Sequence, residues 1–152
     1  MKEISSPSQR RVLVGQVHSA AEPVDSFAGE VYVCVLWATE NGFSQAERRE
    51  LATRLMQSGC RYLVCGGIDC EQWHDEADLA WVCLGLDAPA AIPTVMTTWH
   101  TGETEEEVIS FAFNDTGFGG DAFTRFLVLV IGQDQARLNR IEWLVAAAVS
   151  RA

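Results

Sequence analysis

Four apolar runs of strand length, each followed by residues at helical spacing, limit this chain more than any other feature. The runs are Val31–Ala38 (VYVCVLWA), Arg61–Cys65, Pro93 to about Trp99, and Phe123–Ile131. A run that is apolar at nearly every position, such as Val31–Ala38, suits a strand covered on both faces. Helix signals follow each run. Ser44 with Glu47, and Thr104 with Glu107, have the spacing of capping boxes. The first of these helices runs to Ser58, where Gly59 ends it. Asp69 is placed to cap a helix over about Cys70–Leu84, with Trp73, Ala77, Ala80, Trp81 and Leu84 as its core stripe. Glu105 and Glu106 favour the positive end of the helix that runs to about Phe113. Asp134 can cap the last helix, whose buried face reads Leu138, Ile141, Leu144, Val145, Ala148 and Val149.

Strand–helix alternation predicts an α/β fold: a single three-layer domain with a mainly parallel sheet and helices on both faces. Numbering the four runs in chain order, the expected strand order is 2-1-3-4. Residues 1–10 are expected to be a flexible N-terminal tail, and 11–152 the single α/β domain. Arg11–Val17 alternates weakly and is expected at a sheet edge. Asp87–Ile92 is expected to be a linker, and Asn114–Gly120 (NDTGFGG) a mobile loop. A chain of 152 residues is close to the commonest single-domain size.

Charge narrows the function classes. The net charge is −10, and between Tyr62 and Thr124 there is no Lys or Arg. That stretch carries Asp69, Glu71, Asp75, Glu76, Asp78, Asp87, Glu103, Glu105, Glu106, Glu107, Asp115 and Asp121. A field of one sign repels phosphate backbones and attracts cations or basic proteins. A nucleic-acid partner, which needs basic stripes, is not expected. Nor is a membrane, because no apolar run approaches the roughly 20 residues a span needs. The N-terminus lacks the apolar core of a secretory signal. Five cysteines, at 34, 60, 65, 70 and 83, stand in apolar or helical surroundings. They read as reduced thiols of a cytoplasmic protein.

Chemistry is sought at the carboxyl ends of the strands, where sites in such sheets form. No loop there has the glycine pattern of a dinucleotide or P-loop cradle, so no cofactor is expected. Cys65, Cys70, His74 and His100 are residue types zinc accepts, but their spacings fit no known zinc pattern, so no metal is expected. Cys70 at a helix start, with His74 or His100 as base, would make a nucleophile, which the neighbouring acids oppose. Trp99 either lines a pocket or packs in the core. The candidate site residues are Asp69, Cys70, Trp73, His74, Trp99, His100 and Glu103. They serve either as a functional site or as a structural clamp in which His100 is tied to Glu103 or Asp69.

Two segments carry a resemblance. They are Gly67-Ile68-Asp69-Cys70-Glu71-Gln72-Trp73-His74-Asp75 with Asp78, and Met96-Thr97-Thr98-Trp99-His100 with Glu103. Together they resemble a family of small bacterial proteins of unknown function, with motifs G-x-D-C-x-x-W-x-[DE] and T-T-W-H-x-x-E. The likeness covers roughly Val31–Phe113, and this chain has Gly66 where the family pattern has Trp. The resemblance marks positions and assigns no reaction. Charge, size and the lack of a catalytic motif lead to a first expectation: a non-enzymatic binding protein, immunity- or antitoxin-like, for a basic partner. The alternative is a small hydrolase or nucleotide-processing enzyme using His100 beside Asp69 and Glu103.

Overall fold

The computed structural model describes residues 1–24, 27–87, 93–117 and 122–151. The linker expected at 87–92 and the loop expected at 114–120 fall partly outside these residues. The strands are β1 (Lys2–Ile4), β2 (Arg11–Val17), β3 (Tyr32–Ala38), β4 (Cys60–Gly67), β5 (Met96–Trp99) and β6 (Arg125–Ile131). The helices are α1 (Gln45–Gln57), α2 (Cys70–Asp87), α3 (Glu105–Asn114) and α4 (Gln135–Ser150). One six-stranded sheet has the order β1-β2-β6-β3-β4-β5, parallel throughout except for the β1–β2 pair.

The α/β class stands, and the expected order does not. The four apolar runs lie as 4-1-2-3, with the last run between the first and Arg11–Val17. Burial explains the arrangement. β3 is buried at all seven positions and β6 at six of seven, so these two take the centre. β5 carries Thr97 and Thr98 and is nowhere fully buried, so it takes the edge. Arg11–Val17 is not an edge strand. It pairs with β6 on one side and with β1 on the other, because Lys2–Ile4, expected within the tail, adds an antiparallel strand. Ion pairs Lys2–Glu142 and Arg11–Glu3 accompany that strand.

Side chains alternate across the sheet and enter two separate buried clusters. Tyr32, Cys34, Leu36 and Ala38 of β3 join one, to which α1 and α2 give Leu51, Leu55, Trp73, Ala77 and Ala80. Val33, Val35 and Trp37 join the other, with Val108 and Ile109 of α3 and Ile141 and Val145 of α4. Each fully buried aliphatic side chain contributes about 1.5–3 kcal/mol relative to exposure. Trp81, expected in the core stripe, is more than a third exposed. Its indole reaches the chain before β5 instead and donates to the Pro93 carbonyl at 3.2 Å.

The local signals are met in part. Thr104 and Glu107 form the full capping box of α3. Ser44 caps α1 by accepting from the Glu47 N–H, but its hydroxyl turns to the Glu47 carboxylate, so the reciprocal arm is absent. Asp134 caps α4. β4 continues past the expected end at Cys65, with Gly66 and Gly67 as its last two residues. Glycine is needed at both. A Cβ on Gly66 would lie 2.8 Å from the Trp37 ring, and one on Gly67, whose φ is +80°, would run into the Ala38 backbone.

Candidate functional site

The chain reverses its direction of travel across the sheet between β3 and β6. From β3 it steps outward to β4 and β5, and α3 then returns it to the far side of β3. Crevices at the carboxyl ends of strands form at such reversals. A cleft of about 370 Å³ lies there. Trp37 and Thr39 after β3, His100 and Glu103 after β5, and Asp134 and Arg137 at the start of α4 line it. Glu105, also in its wall, is buried and held by Arg137 and by Arg140 at 3.2 Å.

β5 sorts the candidate residues into two groups, because successive side chains on a strand point to opposite faces. Thr97 and Trp99 meet α2. Thr97 Oγ1 donates to Asp78 at 2.5 Å, and the Trp99 ring lies 4.4 Å from the His74 ring. Thr98 and His100 lie on the α3 side. The His100 ring is 4.6 Å from that of Phe111. Its Nδ1 donates to the Glu103 carboxylate, and its Nε2 lies 3.0 Å from Thr98 Oγ1. Only 9% of the His100 side chain is exposed.

His100 is therefore tied to Glu103 and not to Asp69. Asp69 has φ +57°, outside the extended conformation of a normal N-cap, and its carboxylate faces Arg48 Nη2 of α1 at 3.8 Å. Cys70 is buried with its sulfur 3.6 Å from Thr101 Oγ1. Trp73 is core, packed 5.4 Å from Phe43 with Arg48 over its face. His74 has Asp75 on Nδ1 at 3.1 Å and Asp78 on Nε2 at 3.5 Å. Four of the seven residues thus form two groups: His74 and Trp99 with Asp78 on the α2 side, and His100 with Glu103 in the cleft. Asp69 and Trp73 meet Arg48 and Phe43, and Cys70 is buried beside Thr101, after β5.

The chemistry of these groups is restrained. Both ring nitrogens of His74 and of His100 are engaged within the chain, so neither ring offers a free nitrogen as a base. Burial holds the Cys65 thiol well above its ordinary pKa, with nearby thiols and Asp78 adding to the effect, so it is not a thiolate nucleophile. Among the described residues no three His, Cys, Asp or Glu side chains are grouped to hold a metal ion. No helix among them is long and apolar enough to cross a membrane.

Sequence reasoning missed two features. Arg137 comes to the cleft from the far end of the chain, beside the Asp134 cap, and only the sheet order brings it there. Beside the α2 group, a run of apolar side chains stands in solvent: Val82 is 48% exposed, Leu86 77%, Met96 40% and Trp99 46%. The signal for α2 was its length, since the helix continues to Asp87 past the expected end near Leu84.

Among the described residues the fold is α/β, with a six-stranded, mostly parallel sheet, four helices and a cleft at the carboxyl ends of the central strands. The chain belongs to the family described as a domain of unknown function (DUF7684), whose model matches residues 15–148. That match spans both segments on which the resemblance rested. A search of curated proteins finds no match to the chain.

Proposed function

We propose that the chain is a non-enzymatic binding protein that receives a basic protein on the edge formed by α2 and β5. The observation that carries the reading is an apolar patch in solvent set within an acidic surface. Asp78, Val82 and Leu86 follow one another at i, i+4 on α2 and so form a row on one side of the helix. Asp78 joins that row to Thr97 of β5, next to exposed Trp99. Glu71, Asp75 and Asp87 are exposed on the same helix, and no Lys or Arg occurs between positions 62 and 124. Exposed apolar groups rimmed by charge are typical of association sites, and the acids select the sign of the partner. The reading takes the sheet as the middle of three layers, which leaves its edge strands as the open surface. An immunity- or antitoxin-like protein, masking a basic partner, is one form of such a protein.

The test is capture from lysate of the source cells with wild type and with an Asp75→Lys/Asp78→Lys/Trp99→Ala variant. A basic protein retained by wild type alone is expected, with an association rate that falls at least about tenfold between 50 and 300 mM salt. Equal capture by both, or a rate indifferent to salt, overturns the reading.

The cleft at the β3/β6 reversal favours a second reading, a small hydrolase or nucleotide-processing enzyme with His100 and Glu103 in its wall. It requires substrate to displace Thr98 from His100 Nε2. Turnover of generic ester, phosphate or nucleoside substrates that His100→Ala abolishes would support it, and turnover unchanged in that variant would dismiss it.

A further inference from the structure

The backbone of β5 specifies how a partner meets this edge. The His100 N–H donates to the Cys65 carbonyl at 3.0 Å, and Trp99 stands opposite Cys65 in the parallel ladder. The N–H and C=O of one strand residue point to the same side, and that side alternates along the strand. Met96, Thr98 and His100 therefore turn their backbone groups toward β4, and Thr97 and Trp99 turn theirs away from the sheet. Among the described residues, β5 has no strand on its outer side. The side chains of Thr97 and Trp99 point to the α2 face, where Asp78 and His74 meet them. Open hydrogen-bonding groups, an aromatic ring with an exposed surface and carboxylates thus lie along one line.

We propose that an extended, basic segment of a partner protein adds a seventh strand to β5, with Lys or Arg at alternate positions facing α2. The proposal rests on the preceding reading of this edge as the binding surface and names the mode of binding. Strand addition draws its strength from main-chain hydrogen bonds and its specificity from alternate side chains. One alternate side chain of the incoming strand lies beside Asp78 and Asp75, and the next lies over the Trp99 indole, which favours a cation on its face. Charge excludes a second copy of this chain as the occupant. Edge-to-edge pairing of two copies would bring the acids of both α2 helices toward one another, and like charges in close register oppose association. Charge also distinguishes the two ends of the sheet. β1 at the other edge is accompanied by Lys2 and Arg11, both in ion pairs, and offers no unopposed acidic rim.

The probes are three synthetic peptides of equal charge: an alternating Lys-Val decamer, the same decamer N-methylated at alternate residues, and a Lys-rich amphipathic helix. Titration calorimetry gives affinity, and amide exchange by NMR follows the Thr97 and Trp99 N–H groups of the whole chain. The alternating decamer is expected to bind, to slow exchange at Thr97 and Trp99, and to weaken at least tenfold on N-methylation and at least tenfold against Asp78→Lys. N-methylation removes the backbone donors and leaves this chain untouched, so folding of a variant does not cloud that arm. If the helical peptide binds as well as the decamer while Thr97 and Trp99 exchange freely, strand addition is wrong and the acidic binding surface survives. If none of the three binds at millimolar concentration, both fail.

Discussion

Three thiols buried between β3 and β4 tie the stability of the fold to alkaline pH. Cys34, Cys60 and Cys65 have no exposed surface. Burial pushes the Cys34 and Cys65 thiols well above their ordinary pKa and Cys60 up to about 12, and neighbouring thiols add to the shift at Cys34 and Cys65. In the unfolded chain a thiol ionises near pH 8.5. Above that pH the unfolded chain releases three protons that the folded chain keeps, so stability falls as pH rises. The contribution is complete below the unfolded pKa and is lost as pH climbs toward the folded one. At pH 9.5 each thiol removes about 1.4 kcal/mol, and the three together about 4 kcal/mol. That is a large part of a typical stability of about 5–15 kcal/mol. Urea unfolding at intervals from pH 7 to 9.5 measures the slope. Burial raises the pKa of Tyr62 as well, so the decisive quantity is a difference between proteins. Cys34→Ala weakens packing at every pH, but it should also remove about a third of the alkaline slope. A variant slope equal to that of wild type refutes the argument.

Two substitutions at the carboxyl edge have equally definite outcomes. His100→Ala removes the bonds to Glu103 and Thr98 and the contact with Phe111, and should cost about 2 kcal/mol, the range for a hydrogen bond to a charged group. In a chain of this size that lowers the melting temperature by about 4–8 °C. A variant that melts with wild type would mean that His100 is not a clamp. Gly67→Ala puts a Cβ against the Ala38 backbone at φ +80° and should cost about 2–3 kcal/mol in circular-dichroism melts. An unchanged melt would show that β4 ends otherwise than described.

How much of this was legible in the sequence depends on whether a feature is local. Ser44, Thr104 and Asp134 cap their helices because capping is decided within four residues. The stripe of Trp73, Ala77 and Ala80 follows from helical period alone. Strand order is not local, yet part of it was written in composition. Met96–Trp99 holds two threonines, while Val33–Leu36 and Phe126–Ile131 are apolar throughout, so the polar run belongs at an edge and the apolar runs at the centre. The strand at Lys2–Ile4 had no signal of its own, since three residues carry too little pattern. At the site, the pairing of His100 with Glu103 follows from three-residue spacing. The division of His100 from His74 does not. It arises because His100 stands one residue beyond Trp99, and that single step carries its ring to the other face of the sheet.

The same step keeps the two imidazoles apart. A Cys–His pair acting as nucleophile and base needs its thiol and imidazole on one side of β5 with a ring nitrogen free. Here Trp99 takes His74 and Asp78 with it to the α2 side, while His100 goes to the cleft with Glu103. Each imidazole then has both ring nitrogens occupied inside the chain, His74 by Asp75 and Asp78 and His100 by Glu103 and Thr98. Glu71, Asp75, Asp78 and Asp87 are exposed residues of α2, as are Val82 and Leu86, and Trp99 of β5 is exposed as well. An edge strand in solvent is ordinarily guarded by shortness or by charge against pairing with its own kind. β5 has both protections, four residues of length and an acidic rim. A rim of one sign opposes pairing with copies of itself, and on the reading proposed above the same rim selects a partner of the opposite sign.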